Sequence, residues 1–257
     1  MDFVVVALVA GLASCLTFFT GFGLGTLLLP AFSLFFPVTT AVALTGTVHL
    51  LNGLFKLILV GRNASWRVVV RFGVPGILAA FGGAQVLHWL GDLDPIAQYR
   101  LLGRAFDVTP VKLVIAVLMV GFAALELSRR AKNASVSMRW LPVGGLLSGF
   151  FGGLSGHQGA FRSAFLLRAG LDKAAFIGTG AVIASMIDLT RLSVYFTGDA
   201  FEHVRANVAI VGVGVGTAFV GAYVGSRLLE KTSLRVIEKL VAIVLILVAV
   251  ALGTGAI

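Results

Sequence analysis

The stretch Gly145–Gly170, GLLSGFFGGLSGHQGAFRSAFLLRAG, limits the possible folds of this chain more than any other. It is apolar and rich in glycine, and Ser155, Gly156, His157, Gln158 and Gly159 break it in the middle. In a bilayer, the backbone groups freed by such a break must be satisfied by protein or by a water-filled cavity. The same design stands near the N-terminus. Gly11–Pro37 reads GLASCLTFFTGFGLGTLLLPAFSLFFP, with Thr20, Gly21, Phe22, Gly23, Leu24 and Gly25 at the break. Two interrupted apolar segments in corresponding places of two halves point to the binding site of a transporter.

The remainder of the chain suits the same solvent. Charged residues make up 12% of its 257 residues and hydrophobic ones 58%, with a mean hydropathy of +1.02. A soluble domain carries about 25% charge. The longest polar linker, Ser128–Arg139, is too short to fold alone. The net charge of +9 sits in short loops between apolar runs, which argues for cytoplasmic loops and against a nucleic-acid partner. The single cysteine, Cys15, lies inside an apolar run; it allows no intrachain disulfide and fits no metal spacing. No metal and no cofactor are expected. Met1-Asp2 puts no basic region ahead of the first apolar run, so that run is expected to be a retained membrane segment rather than a cleaved signal.

Ten apolar segments follow from the pattern. The first half has Phe3–Phe19, Leu24–Phe36, Thr40–Val60, Val68–Leu90 and Val108–Leu127. The second half has Trp140–Leu154, His157–Ala169, Ala174–Phe196, Val204–Val224 and Val236–Ala256. The halves align: Gly11-Leu12 and Ser14 with Gly145-Leu146 and Ser148, Gly25 with Gly159, and Thr45-Gly46 with Thr179-Gly180. Ala80-Phe81 and Gly83-Ala84 match Ala218-Phe219 and Gly221-Ala222, and Lys56 falls one residue out of register with Arg191. This is an internal repeat of roughly 120–130 residues, far longer than a solenoid unit.

Charge gives the repeat its hand. The linker after the third segment is basic (Arg62, Arg67, Arg71), but its counterpart after the eighth is not. The linker after the fourth is near neutral, and its counterpart, Gly225–Arg235, is basic. Equivalent linkers therefore belong on opposite faces of the membrane, with both termini periplasmic. The expected fold is an all-α integral membrane protein, a 5+5 inverted repeat with broken or re-entrant helices at its centre. Residues 1–128 form the first repeat, 129–139 a basic cytoplasmic linker carrying Arg129, Arg130, Lys132 and Arg139, and 140–257 the second repeat. If the broken pairs are re-entrant, three plus three full crossings remain.

The chemistry is expected at the breaks. Each leaves a half-helix N-terminus, at about Phe22–Gly25 and Gly156–Gly159, with free N–H groups and a partial positive charge that favour an anion. Glycine alone would also serve close helix packing, which is the better account of Ser148, Gly152 and Gly156 as small residues four apart. Ionisable groups inside apolar segments are the second signal. His49, Asn52 and Lys56 share one helix face, Asp188 and Arg191 are spaced to pair, and Arg162 lies about one turn into the seventh segment. Guanidinium groups suit an anion with several oxygens. Lys56 and Arg191 each sit near a helix end, so snorkelling to the interface is the competing reading. Asp188 is expected to pair with Arg191, with proton carriage as the alternative. His157 and Gln158, in the second break, complete the candidate set.

The duplicated helix, glycine break and helix over Leu12–Pro30 and Leu146–Gly170 resemble the sulfite exporter TauE/SafE family of membrane transporters. The resemblance covers nearly the whole chain. It implies a bacterial inner-membrane carrier that exports sulfite or a related organosulfur anion, coupled to a proton or other ion gradient. Where many members carry a run of glycines at each break, this chain has only Gly21, Gly23 and Gly25 in the first and Ser155, Gly156, His157, Gln158 and Gly159 in the second. The expected partners are a small inorganic or organosulfur anion and the lipid bilayer, with a homodimer allowed. An anion channel is the alternative function. No enzyme is expected, because the sequence has no P-loop lysine, no cysteine pair and no paired intramembrane carboxylates.

Overall fold

A computed structural model describes residues 2–20, 24–101, 104–127, 138–227 and 235–257. Gly21, Phe22 and Gly23 of the first break, and Arg129, Arg130 and Lys132 of the central linker, lie outside the described residues. The first half consists of α1 (Asp2–Thr20), α2 (Leu24–Ser33), α3 (Val38–Val60), α4 (Trp66–Gly91), a hairpin of β1 (Ala97–Leu101) and β2 (Arg104–Val108), and α5 (Pro110–Leu127). The second consists of α6 (Leu141–Ser155), α7 (Gly159–Leu166), α8 (Lys173–Tyr195), α9 (Ala200–Ala206), α10 (Val208–Arg227) and α11 (Arg235–Gly253).

Four of the described helices, those containing α3, α4, α8 and α10, are long and apolar enough to cross a membrane. Large apolar side chains such as Ile58, Leu78, Val117, Val220 and Leu247 point outward, the arrangement a lipid solvent allows. The half-helices α2 and α7 have 10 and 8 residues, well short of the roughly 20 a crossing needs. Each packs back on the helix before it, α2 on α1 and α7 on α6.

Glycine sets how the long helices meet. A Cβ built on Gly145, Gly149 or Gly153 of α6 would stand 2.0–2.1 Å from the carbonyl oxygens of Phe72, Gly76 and Ala80 on α4, so the two backbones touch in parallel. The α1–α10 pair repeats the device, with Gly221 against the Gly11 carbonyl at 2.0 Å. Gly83 and Gly221, matched in the sequence, do the same job: Gly83 meets Phe150 O at 2.0 Å. Gly82, beside it, faces open space. Each half's opening helix thus lies on the other half, α1 on α10 and α6 on α4, while α3 packs on α8 and α5 on α11.

The order of contacts makes α3 and α8 antiparallel: Gly46 lies against Arg191 and Leu192, Gly53 against Ser185, and Gly178 against Val60 O. α8 starts where Asp172 caps it, the carboxylate accepting from the Ala175 N–H at 2.8 Å. Asp172→Ala is expected to cost about 1 kcal/mol. In purified protein that reads as a fall of roughly 2–4 °C in the unfolding midpoint.

Two features were not foreseen. The linker after α4 forms an antiparallel hairpin, pairing Ala97 with Val108 through Leu101 with Arg104. Its Tyr99 stacks on Phe106 and donates to Thr254 O at 2.5 Å, tying the hairpin to the end of α11. The ninth apolar segment is also divided: α9 stops at Ala206 and α10 begins at Val208.

Candidate functional site

The described end of the first break meets the second. A Cβ on Gly25, at the start of α2, would lie 3.1 Å from Gly156 O and 3.6 Å from His49 Cδ2. Gly156 ends α6 in the left-handed conformation, φ 80°, with its N–H on Gly152 O at 2.9 Å. This is the turn a glycine makes without strain. A side chain there would also run into Arg191, whose Nη1 is 2.8 Å from the Cβ position.

Around that turn stands a buried polar cluster. Arg191 Nε donates to Asp188 Oδ1 at 2.9 Å, and Nη2 lies 2.8 Å from the same oxygen. Nη2 is off hydrogen-bonding geometry, so that second contact is ionic. Arg191 Nη1 reaches Gly152 O at 3.3 Å. Gln158 donates through Nε2 to Asp188 Oδ1 at 2.8 Å and accepts from Arg162 Nη1 at 2.9 Å. His49 Nδ1 stands 2.5 Å from Asp188 Oδ2. Asp188 is therefore the hub between α3, α7, α8 and the break. Ser148, matched to Ser14 in the sequence, donates to Gln158 O at 2.8 Å, and Ser14 donates to Asn52 Oδ1 at 3.2 Å. The matched serines brace the two polar arms.

Beside the hub lies a cavity of about 40 Å³, room for two or three waters at roughly 10–15 Å³ each. His49, Asn52, Lys56, Arg162 and Ser163 form its polar side, and Leu166, Phe176, Ile177, Ala181 and Ala184 its apolar side. Lys56 and Arg162 are buried on facing elements, α3 and α7, and Arg191 is buried too. None of the three snorkels. Among the described residues, three buried cationic side chains stand with one buried carboxylate, Asp188. Ser163 Oγ is buried with no hydrogen-bond partner among the described residues.

Of the residues singled out from sequence, His49, Asn52, Lys56 and Arg162 line the cavity. Asp188, Arg191 and Gln158 stand behind it as the network that holds them. Gly25, Ser155, Gly156 and Gly159 form the turn region rather than the cavity wall. His157 is turned aside: Nδ1 is 3.0 Å from Ser155 Oγ, and its ring stacks on Phe122 at 4.9 Å. The free space thus lies about a turn along α7 from that helix's N-terminal end, which Gln158 already fills. Two participants were missed. Ser163 follows Arg162 directly, and Tyr195 stands one turn beyond Arg191, where i, i+4 spacing could have flagged it. Tyr195 donates its hydroxyl to Gly153 O.

Residues 6–252 match the family model described as Sulfite exporter TauE/SafE. No curated protein and no solved structure matches the chain.

Proposed function

The chain belongs to the sulfite exporter TauE/SafE family, and from that premise we propose that it exports sulfite or a related small organosulfur anion through the cavity between α3, α7 and α8. Membership and the apolar helices make it a multi-pass membrane transporter of the sulfite-exporter class. The observation that carries the finer reading is the pairing of Lys56 with Arg162 across a cavity of about 40 Å³. Two buried cations on facing helices, with Asn52, His49 and the Ser163 hydroxyl between them, suit a compact anion with several oxygens. Buried cationic groups lining a cavity in a low-dielectric setting favour the entry of an anion.

The antiparallel course of α3 and α8, and the exchange of α1 and α6 between halves, support an inverted repeat of residues 1–128 and 140–257 working by alternating access. In this reading α1–α2 and α6–α7 are re-entrant pairs, both termini are periplasmic, and the bilayer is the bacterial inner membrane. Asp188, held by Arg191 and His49, is the group through which an ion or proton gradient would be coupled.

The test is sulfite and alkanesulfonate flux in proteoliposomes. Lys56→Ala and Arg162→Ala are each expected to lower flux at least about tenfold, the loss of one charge-assisted contact to the substrate. Flux unchanged in both would remove the cavity from the mechanism. A gradient-independent conductance that does not saturate would replace the carrier with a channel.

A further inference from the structure

A second cavity, of about 190 Å³, lies at the other end of the α3–α8 pair. Thr39, Thr40, Leu87, Asp92, Tyr195 and His203 are among its lining residues, and it opens beside the exposed Asp92 and His203. Its position follows from the antiparallel helices. On α3, Thr39 and Thr40 line this cavity, and His49 through Lys56 line the first. On α8, Phe176 through Ala184 line the first, and Tyr195 lines the second. Between them, in order, stand Asp188, Arg191 and Tyr195. Thr40 and His49 are nine residues apart, about 13 Å of helix.

The partition is fastened by one helix face. Arg191 and Tyr195, a turn apart on α8, hold the adjacent carbonyl oxygens of Gly152 and Gly153 at the C-terminal end of α6. Arg191 is tied into the site by Asp188. Tyr195 donates to Gly153 O, also touches Arg191 through its hydroxyl, and is buried while lining the second cavity. Freeing the Tyr195 hydroxyl leaves the Arg191–Asp188 pair in place and removes one of the two side-chain ties from α8 to α6 at the boundary between the two cavities.

We propose that Tyr195 is the gate between the two cavities: its hydroxyl, bonded to Gly153 O, holds the second cavity shut off from the cation-lined site, and breaking that bond opens the path to the opposite face. The proposal rests on reading the first cavity as a transport site. It adds a residue and a second vestibule to that reading.

Tyr195→Phe keeps the ring and removes the hydroxyl. Two reporters are placed in a Cys15→Ala background, which removes the chain's one cysteine. Thr45→Cys probes the partition: Thr45 is buried on α3 between the cavities. Ala181→Cys probes the wall of the first cavity. A membrane-impermeant methanethiosulfonate is added to each face of oriented proteoliposomes. Tyr195→Phe is expected to raise Thr45→Cys labelling from the second-cavity face about fivefold, as loss of one hydrogen bond shifts a two-state equilibrium. Labelling of Ala181→Cys from its own face should not rise. No change at Thr45→Cys overturns the gate. A rise at both reporters also overturns it, because general loosening would do that. Neither reading uses substrate. Absence of sulfite flux in the unsubstituted protein would therefore overturn the transport reading alone and leave the gate decided by labelling.

Discussion

Arg191→Ala is expected to be the most destabilising single substitution in the polar centre, by about 3–5 kcal/mol. The side chain is wholly buried and pairs with a wholly buried carboxylate. Its removal leaves Asp188 with His49 and Gln158 as its remaining partners and frees Gly152 O at the end of α6. An uncompensated buried charge is what makes breaking such a pair so much worse than never having it. The unfolding midpoint of purified protein should fall by roughly 6–20 °C, at about 2–4 °C for each kcal/mol. The double variant Arg191→Ala/Asp188→Asn should recover part of that loss, because the orphaned charge is gone. A single variant that melts within about 2 °C of the parent would mean that the pair contributes little. The same physics makes Arg191→Ala a poor probe of transport, since lost fold and lost contact would look alike in a flux assay. Lys56 and Arg162, which line the cavity, are the cleaner probes.

The sequence already carried the all-α membrane class and some of the helix bounds. The helix Lys173–Tyr195 falls within one residue at each end of the run expected from hydropathy, and the matched Gly83 and Gly221 make matched backbone contacts. Hydropathy and small-residue spacing report on exactly those features, a helix's length and its closest neighbour. They say little about lateral position. Lys56 and Arg191 lie near helix ends, and only packing against a second helix decides between burial and snorkelling; Gly46 and Gly53 let α8 approach closely enough to bury both. Buried charge is what marks such a site in a sequence, and Tyr195 and Ser163 carry none beside Arg191 and Arg162. The half-helix ends were legible, but their occupancy was not. Gln158 bridges Arg162 to Asp188 and moves the open space along α7. The hairpin was hidden by a charged loop whose strand pairing depends on Tyr99 reaching the end of α11.

Gly149→Ala should do what few alanine substitutions can, and prevent the halves from assembling. The new Cβ would stand 2.0 Å from Gly76 O and 2.7 Å from Gly76 Cα. Its obstacle is backbone, so no rotamer change relieves it and α4 must move away from α6 along its whole length. Overpacking typically costs about 1–3 kcal/mol where side chains can yield, and here the loss should exceed about 3 kcal/mol. In a membrane that contact is hard to replace, because helices gain little from hiding apolar surface and associate largely through close packing. Gly82→Ala is the control: it lies on α4 a few residues away, where nothing stands within 4 Å of the added methyl. It should be neutral or slightly stabilising, since alanine favours helix over glycine by up to about 1 kcal/mol. Size-exclusion profiles and unfolding midpoints in detergent separate the two. Equal behaviour would mean that the α4–α6 seam is looser than its backbone contacts imply. The site's geometry would then need another support, because Gly152 and Gly153, which receive Arg191 and Tyr195, sit at the end of that seam.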